Sequence, residues 1–170
     1  MKAERPAQII VIMGVAGAGK TTIGELLAAR LGWTYHDADA FHPPANVAKM
    51  RDGTPLTDED RAPWLTRLNE LAKSASGAGR SIIIGCSALK ARYRERLAVG
   101  VEAMRFVYLK GPQTLIARRM AARRGHFMPA GLLDSQFAAL EEPADAIVVS
   151  IERTPDEIVE EIVGVLADSH

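Results

Sequence analysis

Cysteine is nearly absent: Cys86 is the single one in 170 residues, so no disulfide can close within the chain, and the composition fits a reducing compartment. Excess charge is absent too. Twenty-one Lys and Arg stand against 21 Asp and Glu, which leaves no overall field to draw the chain onto nucleic acid or an anionic membrane. Any anionic ligand must therefore be held by local groups. Long apolar runs are also missing. The first uninterrupted one, Ile9 to Met13, is far too short for a signal-peptide core or a membrane span, and with the polar start Met1 to Gln8 the expectation is a cytoplasmic protein. There is no internal repeat, low-complexity tract or linker. A length of 170 residues, 48% of them apolar, suffices for one well-buried core but not for two domains of ordinary size, so residues 1–170 read as a single domain.

What is present is an alternation of short strands and helices. Ile9 to Met13 is a β-branched run ending at glycine, the pattern of a strand buried on both faces. From Lys20 to Leu31 the apolar residues Ile23, Leu26, Leu27 and Leu31 recur at helical spacing, and Gly32 supplies a stop. Further strands are predicted at Trp33 to His36, Ser81 to Cys86, Arg105 to Leu109 and Ala146 to Ser150. Helices are predicted at Asp58 to Lys73, Ala88 to Leu97, Pro112 to about Arg124, Leu133 to Leu140 and Thr154 to Leu166. Trp64, Leu65, Leu68 and Leu71 share one side of the first of these helices. The stretch after the second strand, with Asp37, Asp39, His42, Pro43 and Pro44, reads as polar loop. Strands alternating with helices at this spacing imply parallel βαβ units and an α/β sandwich.

Gly14-Val15-Ala16-Gly17-Ala18-Gly19-Lys20-Thr21 matches the pattern G-x-x-x-x-G-K-S/T in full, between a predicted strand and a predicted helix. Glycines are needed because the chain must curl until successive backbone N–H groups point at one anion, and the following helix adds the positive end of its dipole. Lys20 would reach the β and γ phosphates of a nucleoside triphosphate. The Thr21 hydroxyl, with Thr22 beside it, would meet the magnesium that bridges them. An incidental glycine-rich turn would match this pattern in about one chain in a hundred of this length.

In an open parallel sheet, ligands sit beyond the carboxyl ends of the strands. Asp37, Asp39 and His42 fall there. A hydroxyl acceptor needs a carboxylate to orient or deprotonate the attacking oxygen, and Asp39 is assigned that role; Asp37 could hold magnesium through water. The bland reading is a solvated turn. After the third strand, Lys90 and Arg94 are four residues apart, so a helix would place them on one face able to hold a carboxylate or phosphate. Cys86 has no base beside it and reads as a small buried side chain. Arg118, Arg119, Arg123 and Arg124 precede a glycine-flanked segment, the look of a lid, approximately 124–134, that closes over the phosphates. Alternatively they solvate a helix end.

Taken together, M-G-V-A-G-A-G-K-T, D-A-D-A-F-H-P with N-V-A-K-M, G-T-P-L-T-D-E-D-R-x-P-W-L, C-S-A-L-K-x-x-Y-R, F-V-Y-L-K-G and A-R-R-G-H-F-M resemble the gluconokinase family of P-loop small-molecule kinases over nearly the whole chain. The phosphate loop by itself is widespread; H-P-x-x-N, C-S-A-L-K and R-G-H-F in combination are specific. The resemblance implies ATP- and magnesium-dependent phosphorylation of D-gluconate at its 6-hydroxyl. It also implies a five-stranded parallel sheet of the nucleoside monophosphate and shikimate kinase type, with helices on both faces and a mobile lid, in a chain that forms a homodimer. By position it sets Asp39 and His42, within an acceptor region of approximately 39–76, against the sugar acid. Arg61, Lys90 and Arg94 become candidates for the acceptor's carboxylate and hydroxyls, with His126 of R-G-H-F also on the substrate. Arg119 resembles the residue lying against adenine and Arg123 the lid arginine near the transferred phosphate. Glu59 stands where another aspartate is common, and Arg124 where lysine also occurs. A rival kinase acting on shikimate would be expected to carry a glycine run where this chain has C-S-A-L-K. A rival of another class, a nucleotide-binding regulatory module, would be free to lose Asp39, Arg119 and Arg123.

Overall fold

The structure is a computed structural model and describes residues 6–122 and 130–168. In chain order these form β1 (Ile9–Met13), α1 (Lys20–Leu31), β2 (Thr34–Asp37), a 3₁₀ turn (Ala38–Phe41), α2 (Pro44–Arg51), α3 (Asp58–Gly77), β3 (Ile82–Gly85), α4 (Ala91–Ala98), β4 (Met104–Lys110), α5 (Gln113–Ala122), α6 (Ala130–Ala139), β5 (Ile147–Ser150) and α7 (Pro155–Asp168). The five strands make one sheet in the order β2-β3-β1-β4-β5, and every pairing is parallel. This is the fold class the sequence led us to expect.

β1 lies at the centre, paired on one edge with β3 and on the other with β4. Because side chains alternate along a strand, Ile10 and Ile12 face one apolar layer and Ile9, Val11 and Met13 the other. The first layer is filled by Ile23 and Leu27 of α1, Ile116 of α5, Leu133 of α6, and Ile158 and Ile162 of α7. The second is filled by Trp64, Leu65, Leu68 and Ala72 of α3 with Tyr93 and Leu97 of α4. Among the described residues no helix is long and apolar enough to cross a membrane.

Where element boundaries depart from the sequence reading, the reasons are local. The stretch read as polar loop contains the 3₁₀ turn and α2. The one fully buried residue of α2 is Asn46, so an apolar period could not reveal it; Pro44 in its first turn and Lys49 and Arg51 in its last are what favour the helix. α3 runs on to Gly77 because Ala72 and Ala75 continue its buried stripe. It opens on a capping box: the Thr57 hydroxyl accepts from the Asp60 N–H at 3.1 Å while the Asp60 carboxylate accepts from the Thr57 N–H at 2.9 Å. α4 starts at Ala91, not Ala88, since Ala88 has φ +45°, a left-handed conformation that no right-handed helix contains. The open carbonyls at the end of α4 are met by the buried Asn69 of α3, whose amide donates to Leu97 O and Val99 O, both at 2.8 Å.

Packing of this kind predicts a sharp contrast in cost. Leu68 is wholly buried, and Leu68→Ala should lower stability by about 2–5 kcal/mol. Val99 is 58% exposed, and Val99→Ala should stay within about 0.5 kcal/mol of the parent; denaturant titration of the two variants checks both.

Candidate active site

The loop between β1 and α1 curls as its glycines allow. Gly17 has φ +81° and Gly19 φ +100°, a region that side chains rarely tolerate. At Gly17 a Cβ would also lie 2.6 Å from Cγ and Sδ of Met120, so α5 packs directly on the bare backbone. The loop's first residue is tied to the loop after β3, for the Gly14 N–H donates to Ser87 O at 3.3 Å. Val15 and Ala18 are buried and anchor the loop, while Thr21 and Thr22 at the start of α1 stay exposed where a bound phosphate and its counter-ion would lie.

Lys20 lies back across this loop. Its ammonium donates to Gly14 O at 2.9 Å and Val15 O at 3.0 Å. Burial holds its pKa below the ordinary lysine value, and the nearby charges of Asp39 and Asp37 work against that shift. Those two carboxylates thus share one field with Lys20, as their position after β2 implied. The Asp37 side chain accepts from the Asp39 N–H at 2.9 Å and closes the 3₁₀ turn. Asp39 itself is pushed above the usual carboxylate value, first by partial withdrawal from water and then by Asp37; His42 and Lys20 pull the other way. A carboxylate made more basic in this way is better suited to accept a proton from a hydroxyl. Cys86, with its thiol pushed up to about 12 by burial, is the inert buried side chain that the sequence suggested.

His42 stacks on the Trp64 ring, centroids 4.2 Å apart and planes 15° from parallel. Trp64 is fixed in turn, its indole N–H donating to Ala38 O at 2.7 Å. Arg61 reaches back from α3 to donate to Leu56 O at 2.8 Å, and its guanidinium lies 5.4 Å from the centre of the Tyr93 ring. Arg92 and Lys90 approach the same ring at 5.5 and 6.0 Å. The Tyr93 hydroxyl donates to Asp58 at 2.6 Å, and Arg92 pairs with the same carboxylate at 2.5 Å. Three cations around one ring with one carboxylate among them leave net positive charge for an anionic acceptor.

The expected Lys90–Arg94 face is not formed. Lys90 caps α4 in an extended conformation, and Arg94 is buried, donating to Ala88 O at 2.7 Å and Glu141 O at 2.8 Å. Arg94 therefore braces the loop after β3, including the left-handed Ala88, instead of standing open beside Lys90. Helical spacing misled here because the helix begins one residue after Lys90. Arg119 is exposed in the last turn of α5. Arg123 and His126, Arg124 and most of the expected lid lie outside the described residues, whereas α6 carries the end of that segment.

Two residues the sequence reading passed over enter the site. Gln136 of α6 reaches across to the phosphate loop, where the Ala16 N–H donates to its Oε1 at 2.6 Å. Glu141 ties the chain after α6 to the loop after β3: its N–H donates to Leu89 O at 2.7 Å and its carboxylate accepts from the Ala91 N–H at 2.8 Å. No motif flags either one; the signal is a contact across 120 and about 50 residues of chain.

The oxygen donors fit a magnesium ion of the kind that keeps most of its water. Thr21 and Asp37 offer hard oxygens beside the phosphate loop, while among the described residues no three His, Cys, Asp or Glu side chains gather into a metal cage.

A gluconokinase of Gluconobacter oxydans (strain 621H) is 47% identical over 92% of this chain and 89% of its own length. The chain belongs to the gluconokinase family. Residues 9–143 match the family model described as an AAA domain. Among solved structures, a sugar kinase from Janibacter sp. HTCC2649 superposes with TM-score 0.88 at 46% identity, covering 96% of each chain. A gluconokinase from Sinorhizobium meliloti 1021 superposes with TM-score 0.85 at 39% identity, covering 97% of this chain and 94% of that one. The chain is thus a kinase of a family that uses ATP.

Gln136 occupies an N–H of the loop that the sequence pattern assigns to phosphate binding. Gln136→Ala should therefore remove a competing acceptor and tighten ADP binding roughly twofold to tenfold, the worth of one modest hydrogen bond. Calorimetric titration measures it; weaker binding in the variant would show that Gln136 instead helps to hold the nucleotide.

Proposed function

We propose that this chain transfers the γ-phosphoryl group of ATP to the 6-hydroxyl of D-gluconate, giving 6-phospho-D-gluconate, in the cytoplasm and as a homodimer. What supports the chemistry is Lys20 folded back on the phosphate loop after β1 and Asp39 on the turn after β2, at the same end of one parallel sheet. The observation that favours a sugar acid over a neutral sugar is the group Arg61, Lys90 and Arg92 around Tyr93. The dimer and the compartment rest on family resemblance and on composition.

In this reading the loop N–H groups from Gly14 to Thr22 and the Lys20 ammonium grip the β and γ phosphates, Lys20 exchanging the Gly14 and Val15 carbonyls for phosphate oxygens. Magnesium, when bound, neutralises phosphate charge from the side of Thr21 and, through water, Asp37. Arg61 and Lys90 hold the gluconate carboxylate, and Arg94 keeps the loop after β3 in place behind them. Asp39 accepts the proton of the 6-hydroxyl as its oxygen attacks the γ-phosphorus, and the bond to the bridging oxygen of ADP breaks. By the family resemblance Arg119 would be the residue against adenine, Arg123 would act on the transferred phosphate and His126 on the acceptor.

ADP release from ATP and magnesium, measured with gluconate, shikimate, AMP and a panel of sugar acids, tests the reading. Gluconate is expected to be turned over, with Lys20→Ala and Asp39→Asn each losing about 10²–10⁴-fold in kcat. Turnover no faster with any acceptor than without one would sink it. The pH profile tests Asp39 separately. A base must be ionised to act, so kcat/KM should fall as pH drops through a midpoint above the ordinary 3.8; a midpoint at or below that value would remove Asp39 as the base.

A further inference from the structure

His42 is held at its edge as well as its face. The Asn46 side-chain nitrogen lies 3.2 Å from His42 Nδ1 and 2.8 Å from the backbone oxygen of Asp60. A carbonyl oxygen only accepts, so the Asn46 atom facing it must be the amide nitrogen and not the amide oxygen. That nitrogen has two protons. One goes to Asp60 O, and the other is directed at His42 Nδ1, which must then present a lone pair. The proton of a neutral His42 ring is left on Nε2, on the side away from Asn46.

We propose that Asn46 is a positioning residue that locks His42 as the neutral, Nε2-protonated tautomer, making it a hydrogen-bond donor to an acceptor hydroxyl and leaving Asp39 as the only base. Asn46 is built for such a task. It is 3% exposed on a helix with no other fully buried residue. Its anchor, the Asp60 carbonyl, is held by the capping box of α3, and the Asp60 carboxylate, at about 2, stays ionised on Lys49 at 2.7 Å. The groups acting on His42 from the elements around it are Asp39 of the 3₁₀ turn, which favours the charged ring, Arg61 of α3, which disfavours it, and burial, which outweighs both and lowers the pKa. With His42 neutral, one hydroxyl can accept from Nε2–H while giving its own proton to Asp39.

The tautomer stands on geometry alone, while its consequence for turnover rests on the kinase reading above; two measurements separate them. Two-bond 1H–15N spectra of the 15N-histidine-labelled protein, without ligands, read the tautomer of each of the four histidines, with His42 assigned through His42→Gln. The expected result is an Nε2–H pattern for His42 with a titration midpoint below 6.5. In Asn46→Ala the ring should become a tautomer mixture and titrate at higher pH. Turnover of gluconate near neutrality should then fall roughly tenfold, with an unchanged KM for ATP. An Nδ1–H pattern or a charged ring at neutral pH in the parent protein would overturn the proposal, and this decides the matter even where Asn46→Ala does not fold. A folded Asn46→Ala with the parent tautomer would overturn it as well, reducing Asn46 to a structural role. If no acceptor is phosphorylated, the spectra still decide the tautomer while the kinase reading falls by itself.

Discussion

β1 is enclosed on every side: β3 and β4 hydrogen-bond to its two edges, and all five of its side chains are wholly buried. A strand so enclosed cannot shift register without sending Ile10 and Ile12 into the wrong layer. Its end therefore marks a fixed point, and the phosphate loop begins there. The neighbouring strands run parallel and end on the same side, so the turn after β2, the loop after β3 and the start of α5 converge on that point. This topology puts Asp39, after β2, and Lys20, after β1, at the same end of the sheet, with no direct bond between them.

The phosphate loop satisfies its own polar groups. The Lys20 ammonium rests on Gly14 O and Val15 O, and the Ala16 N–H rests on Gln136. A buried cation or an orphaned donor would cost far more than these modest bonds return on exchange, so the loop keeps its shape while its donors remain available. The acceptor side follows the same logic in a different form. Stacking on Trp64, the Asn46 amide and the Arg94 brace behind Ala88 use neutral or fully paired groups to hold position. Arg92 is paired with Asp58, so the unbalanced charge is left on Arg61 and Lys90, where an anionic acceptor can use it.

Most of the fold was legible because its signals are local: β-branched runs for the strands, 3.6-residue periods for α1 and α3, and a glycine after α1. The failures were also local in cause. α2 buries an asparagine, so it has no apolar stripe to read. The left-handed Ala88 delays α4 and turns a supposed Lys90–Arg94 face into a capping lysine and a buried arginine. Around the candidate site, Gly14 to Thr21 and Asp39 stood out in the sequence, and Gln136 and Glu141 did not, since glutamine and glutamate on a helix and in a loop have no pattern that distinguishes them from solvated surface.

The sequence by itself determined the phosphate loop, because anion binding there needs only contiguous backbone N–H groups and the conformational freedom of glycine. It also determined the family, through motifs spread along the chain. Tertiary structure alone decided which donors are already spent and which stay free. A hydrogen bond is a matter of a few tenths of an ångström between atoms far apart in sequence: Ala16 to Gln136, Asn46 to Asp60, Arg94 to Glu141. Spacing along the chain carries no information about such distances until the sheet has brought the two ends together.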